Sequence, residues 1–297
     1  MYEQYYRLNE KPFGLTPDPR YRYASESLVR ALDLLQASVA RDECFAVVTG
    51  DTGTGKTTLC RALVEQSGRT TVIALLLNPP QSEDDLLKDV LSEFGITSRA
   101  DITDVPARQA MMNTIEDFLE SLQPLGARGV LVIDEAQHLP IPVLEQVRLL
   151  ANLAVEKRTL LQVALVGQLT LTEVLRAPQL RHLDQRFSLR LELKPLSEAE
   201  TSAYISHRLL VAGPTRSVMF TPAALKLVHR LSGGVPRVVN LLSHRSLLGG
   251  YSADKEHIDV DIVSAAAEDL DLTESQAPRA KRSWLRIRAG KGTRSQP

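Results

Sequence analysis

The stretch VVTGDTGTGKTTLCRAL, residues 47–63, decides the fold. Within it Gly50, Asp51, Thr52, Gly53, Thr54, Gly55, Lys56 and Thr57 satisfy G-x-x-x-x-G-K-[ST] in full. Glycines at these points let the backbone curl so that successive N–H groups face phosphate oxygens. Lys56 adds a positive charge there, the Thr57 hydroxyl suits Mg²⁺, and Thr58 continues the cradle. An apolar run, Phe45 to Thr49, enters the loop, and a helical stretch, Thr57 to Glu65, leaves it. A bare glycine turn between strand and helix is the alternative.

A phosphate loop needs a carboxylate at the end of another buried strand. VLVIDEAQ supplies one: Val130 to Ile133 lead into Asp134 and Glu135, about 80 residues beyond the loop. Asp134 is placed to hold Mg²⁺ and Glu135 to polarise an attacking water. The guanine reader Asn-Lys-x-Asp does not occur, so ATP is the expected nucleotide and hydrolysis the expected reaction.

The remaining chain is consistent with this. Its 297 residues are 43% hydrophobic and 24% charged, with 35 basic and 36 acidic side chains. A net charge of −1 gives no bulk attraction to nucleic acid. Cys44 and Cys60 lack metal-ligand spacing and read as packed thiols of a reducing, cytoplasmic setting. The N-terminus lacks the basic head and apolar core of a secretory leader, and no apolar run reaches the roughly 20 residues that span a bilayer.

Short apolar runs (CFAVVTG, TTVIALLLN, GVLVID, LLQVALVG) alternate with amphipathic stretches, and SLRLEL at 188–193 reads as a last strand. That alternation predicts an α/β core with a parallel sheet sandwiched by helices. After Pro195 the pattern turns helical: SEAE at 197–200 is a capping box, and Pro222 and Pro236 open further helices. We expect a core over 1–195, a small all-helical domain over 196–272, and a basic, disordered tail over 273–297. In that tail Trp284, Leu285 and Ile287 stand among arginines. It is either a solvated basic end or a contact for an anionic membrane surface.

A P-loop core followed by a helical lid resembles the AAA+ ATPases. That resemblance implies roles for further residues. Gln168, after the strand LQVALVG, matches a polar sensor that touches the γ-phosphate or the attacking water. Arg186, before the last strand, matches an arginine finger that reaches a neighbouring subunit's nucleotide, with Arg181 the second candidate. Arg237, opening a lid helix, matches a second sensor. Guanidinium groups suit these roles because they stay charged and bind two oxygens at once.

The motifs FGLTPDPRYRYAS, TGDTGTGKTTLCRAL, LLLNPPQSEDDLL, VLVIDEAQHLP, VALVGQLTL, RHLDQRFSLRLELKPLS and GGVPRVVNLL together resemble the ExeA/GspA family of type II secretion, with the MshM-like proteins of pilus biogenesis. The likeness covers roughly residues 1–270. It implies that Asn78 either couples to Glu135 or simply sits in a turn before Pro79. Pro12, Phe13 and Tyr21–Tyr23 either lie near the adenine or cover the sheet edge. The long members continue into a transmembrane helix and a peptidoglycan-binding domain, so the short, MshM-like form is expected here. The implied protein is a homo-oligomer, open or closed into a ring, with ATP between subunits and partners in envelope-complex assembly at the inner face of the inner membrane. A DNA-acting AAA+ protein of the TniB transposition type is the rival, since it shares the DEAQ-style box. A third reading is a scaffold gated by nucleotide with little turnover.

Overall fold

The computed structural model describes residues 2–14, 16, 18–41, 45–97, 107–155, 158–213 and 218–272. Cys44 and the basic tail lie outside them. Five strands form one parallel sheet: β1 (Phe45–Gly50), β2 (Thr71–Leu76), β3 (Arg128–Ile133), β6 (Leu161–Gly167) and β7 (Phe187–Leu193), in the order β2-β3-β6-β1-β7. Ahead of β6, Ala154–Val155 (β4) and Arg158–Thr159 (β5) make a short antiparallel hairpin that the sequence reading did not include.

Burial follows position in the sheet. The central strands β1 and β6 are buried along their whole length, whereas edge strand β7 alternates exposed positions with buried or half-buried ones. Alternate residues of the central strands feed opposite layers. Phe45, Val47, Leu131, Ile133, Val163 and Leu165 join one cluster; Ala46, Val48, Val130, Val132, Ala164 and Val166 join the other. The first layer is packed by α4 (Glu83–Glu93), α5 (Arg108–Leu122), α6 (Ile141–Leu150), α7 (Thr170–Leu175) and α8 (Arg181–Asp184). The second is packed by α2 (Glu26–Ala40) and α3 (Lys56–Gln66), where Cys60 is buried and its thiol pushed well up by burial. Two-sided cover is what permits such continuous apolar strands.

Beyond β7 come α9 (Glu198–Ala212), α10 (Pro222–Ser232), α11 (Pro236–Ser252) and α12 (Val260–Glu268). Ser197 and Glu200 form the reciprocal capping box that starts α9. This unit is helical apart from one small parallel pairing, β8 (Met219–Phe220) with β9 (His257–Ile258). The N-terminal residues pack against this unit. Tyr2 in α1 (Tyr2–Tyr5), together with Tyr6, Leu8, Phe13 and Tyr21, shares one apolar cluster with Tyr204, Val239 and Ile262. Aromatic side chains can reach far along the chain for burial, which local periodicity does not reveal.

The chain therefore crosses between core and helical unit twice, at 21–26 and at 193–197. The crossings are bonded to each other: Lys194 N donates to Ser27 Oγ at 2.9 Å, and Glu26 N donates to Glu200 Oε1 at 2.9 Å. Leu196 N also donates to Gly234 O at 2.8 Å. Gly234 has φ +73°, and a Cβ there would collide with the Leu196 carbonyl, so the close approach requires glycine.

Candidate active site

In a parallel sheet, ligands sit beyond the carboxyl ends of the strands, where the strand order reverses. Here that point is β1, flanked by β6 and β7. The loop after it turns on Gly53 and Gly55, with φ of +85° and +101°. A Cβ at Gly50 would stand 2.8 Å from Thr54 Oγ1 and 2.9 Å from Leu193 O, so this glycine is dictated by crowding. Thr54 Oγ1 donates to Asp51 O at 2.8 Å and is buried, while Thr52 is exposed. Helix α3 starts at Lys56 with no side-chain cap, leaving its positive end toward the cleft.

Lys56 is buried, and its ammonium donates to Gly50 O at 3.1 Å and Asp51 O at 3.0 Å. Burial holds its pKa below the usual lysine value, against the pull of Glu135, Asp134 and Asp51. Thr57 Oγ1 donates to Asp134 Oδ2 at 2.5 Å, and Glu135 N donates to Asp134 Oδ1 at 2.9 Å. Asp134 is 1% exposed, and burial raises its pKa in spite of both bonds. Buried oxygens of a hydroxyl and a carboxylate, with charge that burial disfavours, suit a hard divalent cation.

Glu135 follows Asp134 in the left-handed region, with φ +51°, and lines the cleft. Its carboxylate Oε2 accepts from Gln137 Nε2 at 2.6 Å. Asn78, after β2, is exposed, and the amide that holds Glu135 comes from Gln137 rather than from it. Gln168 directly follows β6, the strand between β1 and β3, and its N–H donates to Gln137 Oε1 at 2.9 Å.

The opposite wall belongs to the helical unit. Arg237, in the first turn of α11, places its N–H 3.4 Å from Gly53 O. A Cβ on Gly53 would stand 2.6 Å from Arg237 Cβ, so loop and helix meet with no room to spare. The cleft between them has a volume of about 410 Å³ and is lined also by Thr58, Tyr21, Tyr23, Tyr204, Arg208 and Asn240. Tyr21 and Tyr23 thus face the cleft, while Phe13 is buried edge-on against Phe220 at 6.4 Å between centroids.

Arg208 is a site residue that sequence reasoning missed. It is 7% exposed, donates to Pro12 O at 2.6 Å and Gly14 O at 3.3 Å, and lies over the Tyr21 ring at 4.7 Å. Its NH1 donates to Tyr204 Oη at 2.9 Å, which in turn donates to Asn240 Oδ1 at 2.9 Å. The Tyr204–Arg208 spacing on α9, one turn apart, was the available signal. Arg181 and Arg186 are exposed and are not among the cleft's lining residues; Arg186 instead bonds Asn152 Oδ1.

A glycine loop between a central parallel strand and a helix, opposed by a carboxylate pair just beyond β3 and an arginine from a helical unit, defines a P-loop protein of the AAA+ class, a nucleotide-binding fold. Residues 40–175 match the AAA domain family. General secretion pathway protein A of Aeromonas hydrophila is 41% identical over 270 residues, 91% of this chain and 48% of that protein. The ATP-dependent target DNA activator B of Escherichia phage Mu is 24% identical over 263 residues, 86% of this chain and 75% of that protein. Among solved structures, Cdc6p from Pyrobaculum aerophilum has a TM-score of 0.68 at 15% identity, covering 87% of this chain and 70% of that one. The RuvB branch migration motor of Thermotoga maritima has 0.53 at 22%, covering 86% and 74%. The chain is a AAA+ protein related to general secretion pathway protein A, the ExeA/GspA family that its motifs resemble. It spans about half the length of that relative (48%). No helix among the described residues is long and apolar enough to cross a membrane.

Proposed function

We propose that the chain binds and hydrolyses ATP with Mg²⁺ at interfaces between its own copies, and that this cycle drives assembly of an envelope complex of the secretion or pilus type. The observation that carries the reading is the convergence in one cleft of the buried Lys56, the Thr57–Asp134 pair, Glu135 and Arg237. Mg²⁺, when bound, supplies positive charge to the phosphate oxygens. Thr57 and Asp134 are the residues that would hold it. The loop amides and Lys56 bind and orient the triphosphate, and Lys56 has only to exchange two loop carbonyls for phosphate oxygens. Glu135 takes the proton of the attacking water, Gln168 orients that water, and Arg237 closes the helical unit over the phosphates.

Arg186, exposed and outside the cleft, fits a finger given to a neighbouring copy; Arg181 is the alternative for that role. Such a finger accelerates related reactions by about 10³- to 10⁵-fold. The division into a core over 1–195, whose N-terminal residues pack against the lid, a lid over 196–272 and a tail beyond belongs to the same proposal. The likeness to the phage Mu activator favours a second reading, an ATPase that acts on DNA.

The test is phosphate release by the purified chain with and without Mg²⁺. Lys56→Ala abolishes nucleotide binding, and Glu135→Gln retains ATP while slowing turnover by about 10²- to 10⁴-fold. Mixing Arg186→Ala with Lys56→Ala chains restores part of the activity in trans. Unchanged ATP affinity in Lys56→Ala sinks the loop assignment. Salt-sensitive retention of DNA, with stimulation of turnover by it, replaces the envelope reading by the second one.

A further inference from the structure

Gln137 lies two residues beyond Glu135, in the short turn Ala136–His138 that follows β3. Its amide bridges two strands. Oε1 accepts the backbone N–H of Gln168 at 2.9 Å, and Nε2 donates to Glu135 Oε2 at 2.6 Å. A backbone N–H can only donate, so the oxygen must face Gln168 and the NH₂ must face the carboxylate. The bridge therefore has one orientation. Gly167 makes room for it: a Cβ there would lie 2.5 Å from Gln137 Oε1.

We propose that Gln137 is a positioning residue: its amide aims the Glu135 carboxylate into the cleft and ties it to the end of β6, so that base and sensor strand move as one unit. The proposal rests on Glu135 acting as the base in the function given above. The left-handed backbone at Glu135 turns the chain out of β3 and leaves its side chain with free torsions of its own. One charge-assisted bond to Oε2 removes much of that freedom and leaves Oε1 for a water. No proton passes through Gln137. Displacement of the Gln168 backbone is transmitted to the carboxylate through a single rigid amide plane.

Two variants test this without relying on one substitution. Gln137→Met keeps the length and loses both bonds. Gly167→Ala keeps Gln137 and displaces its amide. We expect each to lower kcat on the order of 10- to 100-fold, while KM and the affinity for a fluorescent non-hydrolysable ATP analogue with Mg²⁺ stay within about twofold. In Gln137→Met the Gln168 amide exchanges hydrogen faster in the nucleotide-free chain. In a Glu135→Gln background, Gln137→Met causes no further fall, because the group it positions is already gone. Loss of analogue affinity in step with kcat, or an additive fall in that background, assigns Gln137 a merely structural role and overturns the proposal. Normal kcat in Gln137→Met beside a slow Glu135→Gln overturns it alone. Normal turnover in Glu135→Gln removes the base itself, and the proposal falls with it.

Discussion

The Thr57 hydroxyl donates to Asp134 Oδ2 across 2.5 Å, although 77 residues separate the two in the chain. The pair joins the first turn of α3 to the end of β3 over the intervening strand β6. It also brings two hard oxygens together where Asp134 is almost wholly buried. Asp134→Asn keeps the shape and an acceptor but removes the charge that a divalent cation would neutralise. Nucleotide should then raise the melting temperature equally with Mg²⁺ and with EDTA, whereas in the parent chain EDTA should reduce that rise. A full Mg²⁺-dependent rise in Asp134→Asn would separate this carboxylate from metal binding.

Gly53 tests the seam with Arg237. Its φ of +85° alone costs an alanine about 1–2 kcal/mol, and the added Cβ would press on Arg237 Cβ at 2.6 Å. Gly53→Ala should weaken nucleotide affinity by about tenfold or more through displacement of α11, with the fold retained. Gly68→Ala, where no heavy atom stands within 4 Å of the new methyl, is the matched control. Equal affinities in the two variants would show that the seam is not part of the binding surface.

Arg208 is predicted to matter for stability in the nucleotide-free chain. Its two carbonyl bonds join residues Pro12 and Gly14 to α9, and its plane rests on Tyr21. Arg208→Met preserves the aliphatic stem and leaves buried acceptors unpaired, which costs on the order of 3 kcal/mol. Urea unfolding monitored by tyrosine fluorescence checks this. A change below about 0.5 kcal/mol, the usual surface range, would mean that the carbonyls find other donors.

His244 gives a pH signature. Its Nδ1 lies 3.0 Å from the Tyr2 hydroxyl, and burial, then Lys11, holds its pKa below 6.5. In that window the unfolded chain takes up a proton that the folded chain refuses. The contribution of His244 is therefore present above about 6.5 and is lost as pH falls toward the depressed folded value. His244→Gln should show a smaller drop in melting temperature than the parent between about pH 7.5 and about pH 5.5. Parallel curves would place the histidine in contact with water.

The reach of the sequence differs from element to element. The β1–loop–α3 unit was legible because each residue type answers a local demand: glycine for positive φ, lysine for charge, an apolar run for two-sided burial. SLRLEL was legible as a strand, and its alternation is that of a sheet edge. Gln137 was quoted in the DEAQ box without a role, because its role depends on the register that brings Gln168 beside it. For Asn78 the resemblance leaves coupling to Glu135 beside a plain turn before Pro79, and the bond that Glu135 accepts comes from Gln137, two residues on. The association of Tyr2, Tyr6 and Phe13 with the C-terminal helices rests on contacts more than 200 residues apart, such as Tyr6 Oη to Leu247 O with a separation of 241. No local period encodes a pairing of that range.

The two crossings between core and helical unit, pinned together by Ser27, Lys194, Glu26 and Glu200, act as one fulcrum. The two bodies meet again where Arg237 stands against Gly53, so a swing about these crossings would open or close the mouth of the phosphate loop. Spin labels on Leu125 and Leu210, both well exposed on opposite bodies, measure the gape directly. Whatever displaces the helical unit also displaces the wall that Arg237 sets against the loop at Gly53.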